Sequence, residues 1–292
     1  MNDELRALRE ARVARQAANP THSEVVLGEG ESLTRVKLVE VHGQALGSSL
    51  WESGTLLAEF LVSPEGRALV EGKDRAMELG CGVGLPGLAL ALLLGRREVV
   101  LTDNTREALA LAEQSILANT LGDRVSAAEL CWEEPEQARA QFGEFDLVVA
   151  ADVLYRQDLL APLLATLLAL THPGSLVLIG YKQRIASDRS FFLAARRAFE
   201  IDVVSSNTSE SRDASGGSRT RHGSGPGHDS GHGVTPDTDE GKGAAGEDGE
   251  GGNGSNDVDG SNGFNGSSGA EWVSGARPVV FRMVRRSEDL PS

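Results

Sequence analysis

Cysteine is scarce: Cys81 and Cys131 are the only two in 292 residues. Two thiols cannot make a disulfide framework, so both are expected to be reduced in an intracellular protein. Long apolar runs are missing as well. The longest, from Leu85 to Leu94, contains Pro86 and Gly87 and falls short of the roughly 20 residues that cross a bilayer. The opening Met1-Asn2-Asp3-Glu4 puts acids where a secretory signal needs bases ahead of an apolar stretch, so none is expected. Positive charge is in deficit too, with 28 Lys and Arg against 43 Asp and Glu and a net charge of -15. No basic cluster with interleaved aromatics offsets the repulsion from a phosphate backbone, which argues against nucleic acid as a partner. Basic proteins or small molecules suit this charge better. The chain is expected to be a soluble monomer of the cytoplasm or nucleus with no membrane association.

Glycine is in excess, at 35 residues, and crowds into one region. Over residues 205–269 the composition falls to Gly, Ser, Asp, Asn and Glu with almost no Leu, Ile or aromatic side chains. Such a segment cannot offset its ordering entropy and is expected to be disordered. From Ser205 to Glu271 there are 12 acids and 4 bases, so the folded remainder is only mildly acidic. His222, His228 and His232 in this stretch lack ligand spacing, and no metal site is expected.

The rest reads as elements. Residues 3–18 mix Ala, Leu, Arg and Glu and end at Asn19-Pro20, an exposed helix with a stop signal. Residues 24–27 and 35–41 flank Gly28-Glu29-Gly30 as a β-hairpin, and a helix follows over 54–62. Short apolar strands then alternate with helical patterns: 76–79 and a helix from Pro86, 99–102 and a helix over 105–119, 125–130, 145–150 and a helix over 158–170, then 175–181. This alternation predicts an α/β fold with a doubly wound, mostly parallel sheet. Strands at 199–204 and 277–285 bracket the acidic segment, which thus occupies a hairpin tip, where added length costs little. The implied organisation is an N-terminal extension at 1–44, a core at 45–204, an insert at 205–270 and a closing strand within 271–292.

The strongest chemical signal is Glu78-Leu79-Gly80-Cys81-Gly82-Val83-Gly84, which ends a strand and leads into a helix beginning near Pro86. Glycines let a ligand press against the backbone, and the helix N-terminus beyond offers free N–H groups. Asp103 ends the next strand, where such folds place a carboxylate that accepts from ribose hydroxyls. Together they point to a nucleoside-containing cofactor. The spacing Gly82-Val83-Gly84-Leu85-Pro86-Gly87 also fits the dinucleotide fingerprint, so an NAD-dependent oxidoreductase stays open, although no hydride-site constellation accompanies it.

Taken together, Leu50-Trp51-Glu52-Ser53-Gly54, the 78–84 loop, Leu101-Thr102-Asp103, Asn119, Leu130-Cys131-Trp132 and Ala151-Asp152-Val153-Leu154-Tyr155 resemble the seven-strand methyltransferases. Within them the chain is similar to lysine methyltransferase family 16, from about Leu50 to Arg197. The resemblance implies a Rossmann-like seven-stranded sheet with an antiparallel last strand and S-adenosyl-L-methionine as cofactor. It implies that Trp51, Gly80, Gly82, Asp103, Trp132 and Ala151 line the cofactor pocket, with Glu78 and Cys81 of the loop beside them. It implies further that Asp152 and Tyr155 face an amine acceptor, a lysine side chain on a protein substrate. A small-molecule N-methyltransferase and a non-catalytic binding protein are the remaining alternatives.

Overall fold

A computed structural model describes residues 20–30, 33–41, 47–95, 98–185, 188–206 and 278–287. The helix expected at 3–18 and nearly all of the acidic insert, with its three histidines, lie outside the described residues.

The hairpin forms as expected: β1 (Thr21–Leu27) pairs antiparallel with β2 (Thr34–Glu40). Helices α1 (Glu52–Val62) and α2 (Pro64–Val70) follow, then β3 (Arg75–Leu79), α3 (Leu85–Leu94), β4 (Glu98–Asp103), α4 (Arg106–Ala118) and β5 (Val125–Glu129). Next come α5 (Pro135–Phe142), β6 (Phe145–Ala151), a 3-10 turn at Gln157–Leu159, α6 (Leu160–Leu170), β7 (Thr171–Tyr181), α7 (Asp188–Ala195), β8 (Phe199–Ser206) and β9 (Val279–Arg285).

Seven strands make one sheet in the order β5-β4-β3-β6-β7-β9-β8. Strands β3 to β7 are parallel, and β9 enters antiparallel between β7 and β8. The expected sheet and its antiparallel last strand are both present. Strand β8 continues past the change in composition, because Ser205 and Ser206 pair with Val280 and Val279.

Alternation along the strands splits the core into two layers. Ala76, Val99, Leu101, Leu147, Val149, Leu176 and Leu178 face α1, α3, α4 and the hairpin. Their neighbours Met77, Val100, Val148, Val177 and Ile179 face α5, α6 and α7. Helix α3 is apolar on every side and fully buried at Leu85, Leu88, Ala89, Leu90 and Ala91, as such a helix must be. Helices α2 and α5, like α7, escaped the sequence reading because they are short, and α5 buries only Ala138. Their signals were Pro64 and Pro135 in the first turn, and Ser63, whose hydroxyl caps α2 by accepting from the Gly66 N–H.

The outer edge of β2 is closed by side chains of α4 and its C-cap. Asn119 accepts from the Lys37 N–H at 3.0 Å and donates to the Lys37 carbonyl at 2.7 Å, standing in for a neighbouring strand. One pair further along, the Val39 N–H donates to the buried Ser115 hydroxyl at 2.9 Å. This pairing pins the hairpin to the core and blunts an edge that would otherwise invite association.

A second buried polar contact ties β3 to α3. The Glu78 carboxyl is 1% exposed and accepts from the Gly87 N–H at 2.9 Å. Gly87 has no room for a Cβ, which would stand 2.7 Å from Glu78 Oε2 and 2.2 Å from Leu101. Burial pushes Glu78 up to about 8, against the Gly87 N–H, which lowers it, and with a further rise from Asp103. The folded chain therefore keeps a proton that the unfolded chain releases near pH 4.5.

Two outcomes follow for stability. Ser115→Ala leaves the Val39 N–H unpaired and is expected to cost about 1–3 kcal/mol, or roughly 2–4 °C of melting temperature per kcal/mol for a fold of this size. Asn119→Ala costs less, since water reaches the exposed Lys37 edge; equal losses in the two variants would reject this ranking. For Glu78, stability falls as pH rises from its unfolded value to about 8, because only the folded state still holds the proton. Glu78→Gln removes this slope, so its melting temperature gains on the wild type between pH 5 and 8. Parallel curves would show that Glu78 ionises alike in both states.

Candidate active site

Parallel strands end on a common edge, and the strand order reverses between β3 and β6, since β3 lies beside both β4 and β6. A crevice opens at such a reversal. Here it is a cavity of about 440 Å³. Every residue expected to line the cofactor pocket or face the acceptor lines it: Trp51 ahead of α1, Glu78 within β3, Gly80, Cys81 and Gly82 after it, and Asp103 at the tip of β4. Trp132 follows β5, Ala151 ends β6, and Asp152 and Tyr155 follow it.

The turn after β3 is held by its neighbours. Cys81 N–H donates to the Thr102 carbonyl at 2.8 Å, and the Thr102 hydroxyl donates to the Glu78 carbonyl at 2.7 Å. Gly80 has φ +63°, and a Cβ there would lie 3.1 Å from Val153 and 3.3 Å from the Trp132 ring. Gly82 has φ +53°, and its Cβ would meet the Gly47 carbonyl at 3.0 Å. Glycine is required at both on conformation and on space.

Asp103 closes the far side of this turn. Its Oδ2 accepts from the Gly82 N–H at 3.1 Å, and its Oδ1 accepts from the Thr105 N–H at 3.0 Å and the Thr105 hydroxyl at 2.9 Å. A carboxylate has about four lone-pair sites, so capacity remains for a ligand hydroxyl. Trp132 is fixed at its backbone, where its carbonyl accepts from Thr166 at 3.0 Å, and its ring packs along Gly80. Cys81 is buried, and that burial, with Glu78 and Asp103 nearby, drives its thiol well above the usual range. It is a small, protonated filler and not a nucleophile.

The acceptor side is built on Asp152. Its φ is +55°, a left-handed conformation that Asp tolerates better than most residues, and its N–H donates to the Gly180 carbonyl at 3.0 Å. Its Oδ1 accepts from Arg184 Nε at 2.9 Å. Its Oδ2 is buried and has no hydrogen-bond partner among the described residues. Tyr155 is partly buried, and burial is the main reason its phenol is raised, so it keeps its proton.

The sequence reading missed Arg184, Gly47 and Ser49, all of which line the cavity. Arg184 follows β7 on the same strand edge, and that position was its one available signal. Trp51, expected as a cofactor contact, is 43% exposed with the Arg184 guanidinium 5.2 Å from its ring centroid. The structure thus sets it at the rim.

Known proteins share this arrangement of sequence. Residues 32–198 match the family described as lysine methyltransferase. The protein-lysine N-methyltransferase EFM6 of Saccharomyces cerevisiae is 31% identical over 194 residues, covering 59% of this chain and 78% of that protein. The protein N-lysine methyltransferase METTL21A of Mus musculus is 31% identical over 158 residues, covering 53% and 69%. Its Danio rerio counterpart is 32% identical over 158 residues with the same coverage. With more than half of its length inside the family match, this chain belongs to the lysine methyltransferase family.

Proposed function

We propose that this protein transfers a methyl group from S-adenosylmethionine to the side-chain amine of a lysine in another protein. The observation that carries the reading is a single cavity with a glycine turn and a ribose-competent acid on one side and the unpartnered Asp152 Oδ2 on the other. When bound, the cofactor supplies a methyl on a sulfonium: the amine lone pair forms the C–N bond as the C–S bond breaks, leaving S-adenosylhomocysteine.

The chain's residues have three tasks. Gly80, Gly82 and Asp103 hold the adenosyl portion, with Glu78, Cys81, Trp132, Ala151 and Trp51 walling the same space. Asp152 receives the arriving ammonium at Oδ2, and Tyr155 adds a hydroxyl and an aromatic edge. The ammonium must then lose its proton to water, because only a neutral nitrogen attacks; from a pKa of about 10.4 this costs about 4.6 kcal/mol at pH 7. Holding the amine in line with the methyl supplies much of the acceleration. A cytoplasmic or nuclear location and a monomeric state complete the proposal.

Asp152→Ala is expected to lower methyl transfer about a hundredfold or more while S-adenosylmethionine affinity stays nearly constant. Gly80→Arg is expected to abolish binding itself. Tritiated methyl incorporation into lysate protein, with mass spectrometry of the product, reads the first, and calorimetry reads the second. Equal loss of binding in both variants would reassign Asp152 to the cofactor pocket.

A further inference from the structure

Arg184 is absent from every role assigned so far, yet it is held by two contacts at the mouth of the cavity. Its Nε donates to Asp152 Oδ1 at 2.9 Å, and its guanidinium lies over the Trp51 ring, 5.2 Å from the centroid. The Asp152 side chain is 9% exposed and that of Arg184 29%. This pair is therefore shielded more than a surface ion pair, and its charges act on whatever enters beside it.

A second observation points to a ligand here. Among the described residues no donor reaches the buried Asp152 Oδ2, although it borders the cavity. The residue also holds a left-handed φ of +55°, which fixes the direction of its side chain. An oxygen that no protein donor occupies suits an incoming one, and in this cavity that donor is the acceptor amine.

The surrounding charges decide what Arg184 does. On α1, Glu52 is paired with Lys182 from the segment after β7 and also feels the charge of Arg184 at longer range. After β6, Arg156 is paired with Asp158, and Tyr155 keeps its phenolic proton. At the end of β3, Glu78 is neutral below about pH 8. Two of the described carboxylates that line the cavity make no ion pair: Asp103 at the tip of β4, and Glu133 after β5, which accepts from the Cys131 thiol at 2.9 Å and feels the Arg156 charge at longer range. Without Arg184, Asp152 would join them. A carboxylate within about 4–6 Å of an amine favours its charged form, and the charged form cannot attack a methyl group.

We propose that Arg184 is a positioning residue for the methyl-accepting amine: it holds Oδ1 of Asp152 and offsets its charge, so that Oδ2 orients the amine without locking the proton onto it. The proposal rests on the reading that Asp152 receives the amine. It makes Arg184 a determinant of the amine's protonation and not of cofactor affinity. The proton leaves to water before the C–N bond forms, and the C–S bonding pair stays with sulfur.

Sinefungin tests this without an identified acceptor protein, because it carries a primary amine where S-adenosylmethionine carries its sulfonium methyl. S-adenosylhomocysteine lacks that amine and serves as the reference. Calorimetry of both ligands across pH 6–9 gives the preference for the amine. Arg184→Met is expected to raise this preference about tenfold at neutral pH, the equivalent of one pK unit, with S-adenosylhomocysteine affinity unchanged. The rise shrinks at alkaline pH as the amine loses its proton, and Arg184→Lys keeps the wild-type preference. Arg184→Gln, also neutral, replaces the methionine variant if that one does not fold. An unchanged preference in the neutral variant, or a lysine variant that behaves like it, overturns the proposal. If neither ligand binds the wild-type protein, the methyltransferase reading itself fails, a result distinct from failure of the Arg184 role alone.

Discussion

The turn between β3 and α3 is the constraint on which the rest of the site depends. A side chain at Gly80 would press on Val153 and Trp132, and one at Gly82 on the Gly47 carbonyl. The same turn is tied sideways: Cys81 and Gly82 donate to Thr102 and Asp103 of β4, and Leu130 N–H donates to the Asp103 carbonyl at 3.1 Å. Three adjacent strand tips are thereby fixed to one another. Binding groups carried on strand ends are positioned more rigidly than groups carried on free loops.

The electrostatics of the cavity follow from its burial. Glu78 is the most deeply buried acid of the site and is kept neutral near pH 7 by desolvation. Asp103 spends its charge on backbone and hydroxyl donors. Asp152 is offset by Arg184 on one oxygen and left open on the other. Three carboxyl groups within one hollow thus differ in role because their partners differ, and their backbone supports differ too. Only Asp152 of the three has a positive φ, a strain of about 1–3 kcal/mol that marks the acceptor side.

Much of this was legible in the sequence, for physical reasons. Strands such as Val99–Thr102 and Leu147–Ala150 are buried on both faces and read as apolar runs, and the glycine turn has a spacing that few other needs produce. The roles expected for Trp132 and Asp152 came from resemblance, not from pattern. What stayed hidden depends on contacts between distant residues. Arg184 meets Asp152 from 32 positions away, and Asn119 serves Lys37 across 82. No local periodicity encodes such a meeting. Helix α5 was missed for the opposite reason, since an almost fully exposed helix has no apolar stripe to reveal it.

The central claim is that the hollow beside Gly80, Gly82 and Asp103 holds an adenosyl sulfonium compound and not a dinucleotide. A calorimetric titration of the purified protein with S-adenosylmethionine and, in parallel, with NAD tests it most directly. Saturable binding of one S-adenosylmethionine per chain with no heat from NAD is the expected result. Saturable binding of NAD, or no binding of S-adenosylmethionine, would contradict it.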